Sequence, residues 1–142
     1  MLKEYKNVKV NYEADAIIEI NTKEYRIHDC IDGEDILVET EGKYPYLAKV
    51  LKPSPHRITN GCPYQRECGG CQFMHMEYGY ELDQKAKFLQ ELFKGIKNIP
   101  PIEIIPSFEY LHYRNKSQMT YKLSKTKKVV CGFYEEYSHK LI

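Results

Sequence analysis

Between residues 8 and 51, apolar and polar positions alternate in five short runs, at residues 8–12, 16–20, 24–28, 35–38 and 46–51. Most of the apolar members are β-branched or aromatic, which suits a pleated, half-buried surface. Turn signals such as Asp32-Gly33 and Glu41-Gly42-Lys43 separate runs, so a small antiparallel barrel or sheet is predicted. Pro53-Ser54-Pro55 then removes backbone donors and restricts the preceding residues, marking a connector and a domain boundary near residue 55.

Further along, the period changes. Leu82, Ala86, Leu89, Leu92, Phe93 and Ile96 recur at intervals of three and four, with Glu81, Lys85, Lys87, Glu91 and Lys94 among them. That spacing predicts an amphipathic helix over residues 78–96, ended by about Asn98 because Pro100-Pro101 cannot continue it. Strands are predicted at residues 102–105, 118–123 and 128–133, the last two joined by the polar turn at 124–127. The expected class is α+β: a β-rich unit over residues 1–55, then a cysteine-containing α+β unit over residues 56–142.

Composition narrows the function classes. The 142 residues are 42% hydrophobic, enough for a core. No run approaches the ~20 apolar residues that cross a bilayer, and the first ten residues have no signal-peptide core, so the expectation is a cytoplasmic monomer with no membrane partner. The net charge of +1 hides an asymmetry: residues 1–60 carry nine basic and eleven acidic side chains, the remainder twelve and nine. Between Tyr110 and Tyr134 lie Arg114, Lys116, Lys122, Lys125, Lys127 and Lys128 with no acid among them. This is the segment suited to a polyanion, although a solvated lysine-rich hairpin has the same composition.

Three of the five cysteines fall within ten residues: Cys62, Cys68 and Cys71. The two-residue gap lets a loop turn both sulfurs inward, and Gly69-Gly70 removes side chains that would obstruct it. Glycine also lets backbone N–H groups approach a cluster sulfur. A disulfide framework does not suit a cytoplasmic chain. Spacing alone leaves iron–sulfur and zinc open. A structural zinc site usually takes four ligands, and His75, four residues past Cys71, offers a fourth. A lone histidine there otherwise reads as a surface or helix-start residue. Cys30 and Cys131 sit in strand-like surroundings and read as packed side chains.

Tyr110, His112, Tyr113, Arg114, Asn115 and Lys116 interleave aromatic rings with cations and an amide. Such a mixture stacks on bases while neutralising phosphate, as proteins that hold single-stranded or looped RNA do. Contact with phosphate or base falls to Arg114 and Lys116, and hydrogen bonding to Asn115. The competing reading packs Tyr113 in the core and leaves the charges to solvate a strand start.

Four motifs occur in one order: Pro53-Ser54-Pro55-His56-Arg57, the Cys62 to Cys71 run with Gln72 and His75, Tyr113-Arg114-Asn115-Lys116, and Gly132-Phe133-Tyr134 followed by Ser138-His139. Over nearly its whole length the chain resembles the bacterial 23S rRNA uracil-5-methyltransferases that carry an N-terminal TRAM domain. The resemblance implies that residues 1–55 form a TRAM-like barrel of the oligonucleotide-binding type. It implies that Cys62, Cys68 and Cys71 hold a 4Fe-4S cluster in a central domain, and that Tyr113, Arg114, Asn115 and Lys116 face rRNA. In the family, a further Rossmann-like domain binds S-adenosylmethionine and supplies a cysteine that adds to carbon 6 of a flipped-out uracil. Carbon 5 then takes the methyl group and a base removes the remaining proton.

This sequence departs from that pattern. It has no glycine-rich strand-to-helix turn of the cofactor-binding kind and no later cysteine, so S-adenosylmethionine chemistry is expected only in a longer parent protein. The family's fourth cluster cysteine follows the Ser-His pair, at a position past Ile142. The first unit is net acidic and lacks the glycine-rich stretch usual in TRAM domains. The expected function is therefore RNA recognition without catalysis, the alternative being a non-enzymatic zinc-binding module for RNA or protein.

Overall fold

The computed structural model describes residues 1–59, 61–65, 67–136 and 138–142. Its elements are β1 (Leu2–Tyr5), β2 (Ala16–Ile20), β3 (Lys23–Ile27), β4 (Asp35–Glu39), β5 (Tyr46–Lys52), α1 (Tyr78–Phe93), β6 (Thr120–Leu123) and β7 (Val129–Gly132). All strand pairs are antiparallel. Strands β1, β4 and β5 form a three-stranded sheet in the order β1-β4-β5, and β2 pairs with β3. The α+β class is as expected, and among the described residues the sheets do not close into a barrel.

Alternation explains why these strands form. In β2, Ala16 and Ile18 are buried while Ile17 is exposed, and in β4, Ile36 and Val38 are buried. With Val8, Ile27 and Cys30 they make the principal core, against which Tyr5, Val10, Ile20, Tyr25 and Leu47 pack. The β2–β3 connection is Asn21-Thr22, with φ values of 49° and 65°. Positive φ at both positions twists the hairpin in the sense its strands require, at a steric cost for the β-branched threonine.

The run at 8–12 is not a strand, and its backbone shows why. Acidic residues of the 32–35 turn take its amides: Asn7 N–H donates to Asp35 Oδ1 at 2.8 Å, Val8 N–H to the Glu34 carbonyl at 2.9 Å and Val10 N–H to Asp32 Oδ1 at 2.9 Å. Left-handed backbone at Asn7 and Ala14 brackets the segment. The run at 102–105, flanked by Pro101 and Pro106, is likewise not a strand.

Residues beyond the proline connector pack directly on the first sheets. Met76 joins Ala14 and Ile31 in a second core cluster, with Phe73 and Tyr80 against it. Helix α1 adds a stack of Phe88 on Tyr12, with ring centroids 4.1 Å apart. No residue of α1 is buried, and Leu92 and Phe93 are exposed, so its predicted apolar stripe is only half covered. No helix among the described residues is long and apolar enough to cross a membrane.

Candidate functional site

The cysteine segment is a loop with a closed neck. Arg57 pairs with Met76 in an antiparallel bridge, Ile58 N–H donates to the His75 carbonyl at 3.0 Å, and Glu77 N–H donates to the His56 carbonyl at 2.9 Å. The neck is pinned to the core by charge. Glu34, fully buried, accepts from Arg57 Nε at 2.6 Å and Nη2 at 2.8 Å, while Nη2 also reaches the Asp29 carbonyl at 2.6 Å. Burial opposes ionisation of Glu34, but hydrogen bonds from Arg57 and from the Ser54 and Ile31 amides outweigh it and hold the carboxyl below its usual range.

His75 is buried on the core side of this neck, not on the surface. Its Nε2 lies 3.0 Å from the Cys30 carbonyl and its Nδ1 3.1 Å from Asp29 Oδ1. A carbonyl only accepts, so Nε2 carries hydrogen. Burial pushes the His75 pKa down against the pull of Asp29. With both ring nitrogens so engaged, His75 is unsuited to be a fourth metal ligand.

Inside the loop, Cys68 N–H donates to the Tyr64 carbonyl at 2.8 Å, forming a tight turn. Cys68 then bridges to Glu135, and Glu136 N–H donates to the Glu67 carbonyl at 2.9 Å, so the stretch after β7 runs antiparallel beside the cysteines. Gly70 leaves room for sulfur: a Cβ there would fall 3.3 Å from Cys68 Sγ. Cys62 and Cys71 are exposed, Cys68 is half-buried, and none of the cysteines is disulfide-bonded. Partial burial pushes the Cys71 thiol up, Cys68 and Cys62 push it the same way, and the Arg114 guanidinium opposes them. Cys62 and Cys68 thus lie near enough to Cys71 to act on it electrostatically. Among the described residues, no three His, Cys, Asp or Glu side chains are grouped closely enough to hold a metal ion. A cavity of about 610 Å³ is lined by Cys68 and Cys71 and also by Tyr44 and Tyr46.

Sequence reading missed the groups that tie this loop to the sheets. His28 places Nδ1 2.5 Å from Oδ1 of the buried Asp15 and Nε2 3.3 Å from Oε1 of Glu136. Burial works against charge on His28, yet Asp15 and Glu136 win and raise its pKa. Burial likewise raises the pKa of Glu136, with His28 pulling it down. No spacing rule joins residues 15, 28 and 136; only the fold does.

Residues 113–116 belong to an irregular segment ahead of β6. Tyr113 is 67% exposed, which removes the core-packing alternative, and Arg114, Asn115 and Lys116 are exposed as well. The segment is anchored at Tyr110, whose ring stacks on Tyr78 at the start of α1 with centroids 4.6 Å apart. Through Arg114 it lies within electrostatic reach of Cys71, so the two candidate clusters are neighbours. Cys131, expected to be packed, is exposed on β7, while Cys30 is buried in the core with its pKa pushed up to about 12 by burial.

No family model matches the chain. Curated relatives do. An uncharacterized RNA methyltransferase of Bacillus anthracis is 38% identical over 128 residues, covering 82% of this chain and 27% of that protein. One from Nostoc sp. is 32% identical over 124 residues, covering 82% and 27%. One from Staphylococcus epidermidis is 31% identical over 145 residues, covering 96% and 32%. The chain spans about a quarter to a third of the length of these relatives.

Proposed function

The chain is homologous to part of bacterial proteins named RNA methyltransferases, and on that premise we propose that it is the RNA-recognition and iron–sulfur portion of an S-adenosylmethionine-dependent rRNA uracil-C5 methyltransferase, corresponding to the front of that enzyme. The relationship to those proteins is the observation that carries this reading. Residues 1–55 are its TRAM-like unit and residues 56–142 its central unit. Cys62, Cys68 and Cys71 supply three of the four thiolates that a 4Fe-4S cluster takes. Such a cluster would fix the loop, in which Gly70 leaves room beside Cys68 Sγ.

Tyr113, Arg114, Asn115 and Lys116 contact the RNA. Their exposure supports this, as does the irregular backbone that leaves them able to adapt to a looped strand. Lys122, Lys125, Lys127 and Lys128 add a weaker, salt-sensitive attraction. The acids of the first unit do not oppose it uniformly. Glu34, Asp15 and Asp32 face inward to Arg57, His28 and the Val10 amide.

The test is anaerobic reconstitution with iron and sulfide, followed by binding to a 23S rRNA hairpin across a salt series. Bound iron and sulfide, with tighter binding to the hairpin than to an unrelated RNA of equal length, are expected. Stoichiometric zinc without iron or sulfide would replace this reading with a zinc module. Equal weak binding to any polyanion would remove the specific RNA role.

A further inference from the structure

Three separate stretches of chain meet around the cavity of about 610 Å³. Tyr44 and Tyr46 come from the β4–β5 turn and the start of β5, Glu67 and Gln72 from the cysteine loop, and Glu135 and Glu136 from the stretch after β7. Contacts fix these walls in place. Leu47 pairs with Val38 of β4 and packs against the principal core. Gly69 N–H donates to the Tyr134 carbonyl at 3.4 Å and Glu136 N–H to the Glu67 carbonyl at 2.9 Å, while the Glu136 carboxylate lies 3.3 Å from His28 Nε2. The volume falls within the roughly 300–1,000 Å³ of small-molecule sites. Among the described residues, Cys68 and Cys71 line the cavity but Cys62 does not, so a group shared by all three sulfurs is not centred in it.

Aromatic rings and hydrogen-bond acceptors share the lining. Tyr46 is 59% exposed and Tyr44 44%, and rings of this kind are the surfaces on which unstacked bases lie. Three of the lining carboxylates face a basic group of the protein: Glu135 holds Lys140 Nζ at 2.9 Å, Glu136 faces His28, and Asp29 lies 3.9 Å from Arg57 Nη1. Glu67 lines the cavity as an exposed residue, and an ionised carboxylate only accepts hydrogen bonds. We infer that the cavity takes one unstacked guanine base of the RNA, stacked on Tyr46, with the Glu67 carboxylate accepting from its N1–H and 2-amino groups. Guanine is the base whose pairing edge sets two donors side by side, whereas uracil would turn a carbonyl oxygen toward the carboxylate. Lys43, also in the lining, holds Nζ 5.1 Å from the centroid of the Tyr44 ring. A cation there suits the phosphate of the same nucleotide and opposes entry of an arginine side chain. The inference deepens the proposed RNA recognition and rests on it, at a site other than residues 113–116.

The test is titration of the isotope-labelled chain with guanosine, inosine and uridine monophosphates, followed by the NMR shifts of its amides. Guanosine monophosphate should move the amides of Tyr44, Tyr46 and residues 67–72. Inosine monophosphate, which lacks only the 2-amino group, should bind about tenfold more weakly, the loss of one hydrogen bond to a charged acceptor. Tyr46→Ala should abolish the shifts and Tyr46→Phe keep them, and Glu67→Gln should bring the guanosine nucleotide down to the affinity of the inosine one. Equal binding of all three nucleotides, shifts confined to residues 113–116, or shifts that survive Tyr46→Ala would overturn the inference. So would N-acetylarginine amide binding at the same amides and displacing the nucleotide, because a protein side chain would then be the occupant. A 23S rRNA hairpin with an unpaired guanine should compete with guanosine monophosphate, and the same hairpin with inosine in that place should compete less. A hairpin that binds without competing would leave the proposed function standing and overturn the assignment of the cavity to an RNA base. Failure of the hairpin to bind a chain that still takes the nucleotide would remove the proposed function and make free nucleotide the ligand.

Discussion

Arg57 holds Glu34 by two side-chain hydrogen bonds, Nε to Oε1 at 2.6 Å and Nη2 to Oε2 at 2.8 Å, where Glu34 is fully buried. The pair fastens the neck of the cysteine loop to the core formed by the first strands. Truncating Arg57 would strand a buried carboxylate, so Arg57→Ala should destabilise the chain by about 3–5 kcal/mol in urea denaturation. The double variant Arg57→Met with Glu34→Leu should recover much of that loss, because it removes both charges together. Glu34 has a lowered pKa, so its contribution is present above the ordinary carboxylate range and lost as pH falls through the folded value. The wild type should therefore lose its advantage over the double variant below about pH 4.

His28 carries the opposite sign. Its folded pKa is raised: burial opposes the charge, and Asp15, Glu136 and Glu13 more than compensate. The stability it contributes is complete below the unfolded value of about 6.5 and is lost as pH rises through the folded value. Relative to His28→Gln, the wild type should be more stable at pH 6 than at pH 9. His75, whose pKa is lowered, titrates in both proteins and cancels in the difference. Equal pH profiles for the two proteins would remove the charged bridge from Asp15 to Glu136.

What the sequence could reveal was set by range. Strand β2 was legible to the residue, and β3, β4 and β5 to within one at each end, because β2, β3 and β4 send alternate side chains toward one core and Leu47 of β5 packs against it. Helix α1 was legible because its period is local, though it stops at Phe93, three residues before the predicted end. β1 escaped because Leu2–Tyr5 has no buried residue and is defined by its partner β4. His75 looked like a surface or helix-start residue, since its burial depends on Asp29 and Cys30 across the neck. Cys131 looked packed because its neighbours alternate correctly; what the pattern cannot say is that the hairpin's apolar face is left open. The cysteine loop and the residues at 113–116 were each visible as motifs, but their adjacency through Arg114 and Cys71 arises only from the fold.

Substitution of the cysteines separates chemistry from packing. Cys62→Ser, Cys68→Ser and Cys71→Ser should each cut the iron retained after anaerobic reconstitution severalfold, with little effect on the thermal midpoint of the metal-free chain, since none of these thiols is buried. Cys30→Ser should do the reverse. It places a hydroxyl in the Ile27, Ile36 and Val38 core at a cost of about 1–3 kcal/mol and leaves iron retention intact in the folded fraction. Cys131→Ser should change neither. Iron retained in full by the three loop variants would exclude those residues as ligands.

RNA binding should divide by side-chain chemistry. Arg114→Ala and Lys116→Ala each remove a phosphate partner, so each should weaken binding to a looped RNA and flatten the dependence of log affinity on log salt by about 0.7. Tyr113→Ala removes a stacking surface and should cost about 1–3 kcal/mol of affinity with the salt slope unchanged. Tyr113 is 67% exposed, and Arg114 and Lys116 are exposed, so none of the three should alter the unfolding midpoint. Tyr110→Ala is the informative contrast. Its ring is 4.6 Å from that of Tyr78, so losing it should loosen the segment that presents all three and weaken binding without a direct contact of its own. A rigidity effect of that kind leaves the salt slope at its wild-type value, whereas a direct phosphate contact lowers it, and titrations at three salt concentrations distinguish the two.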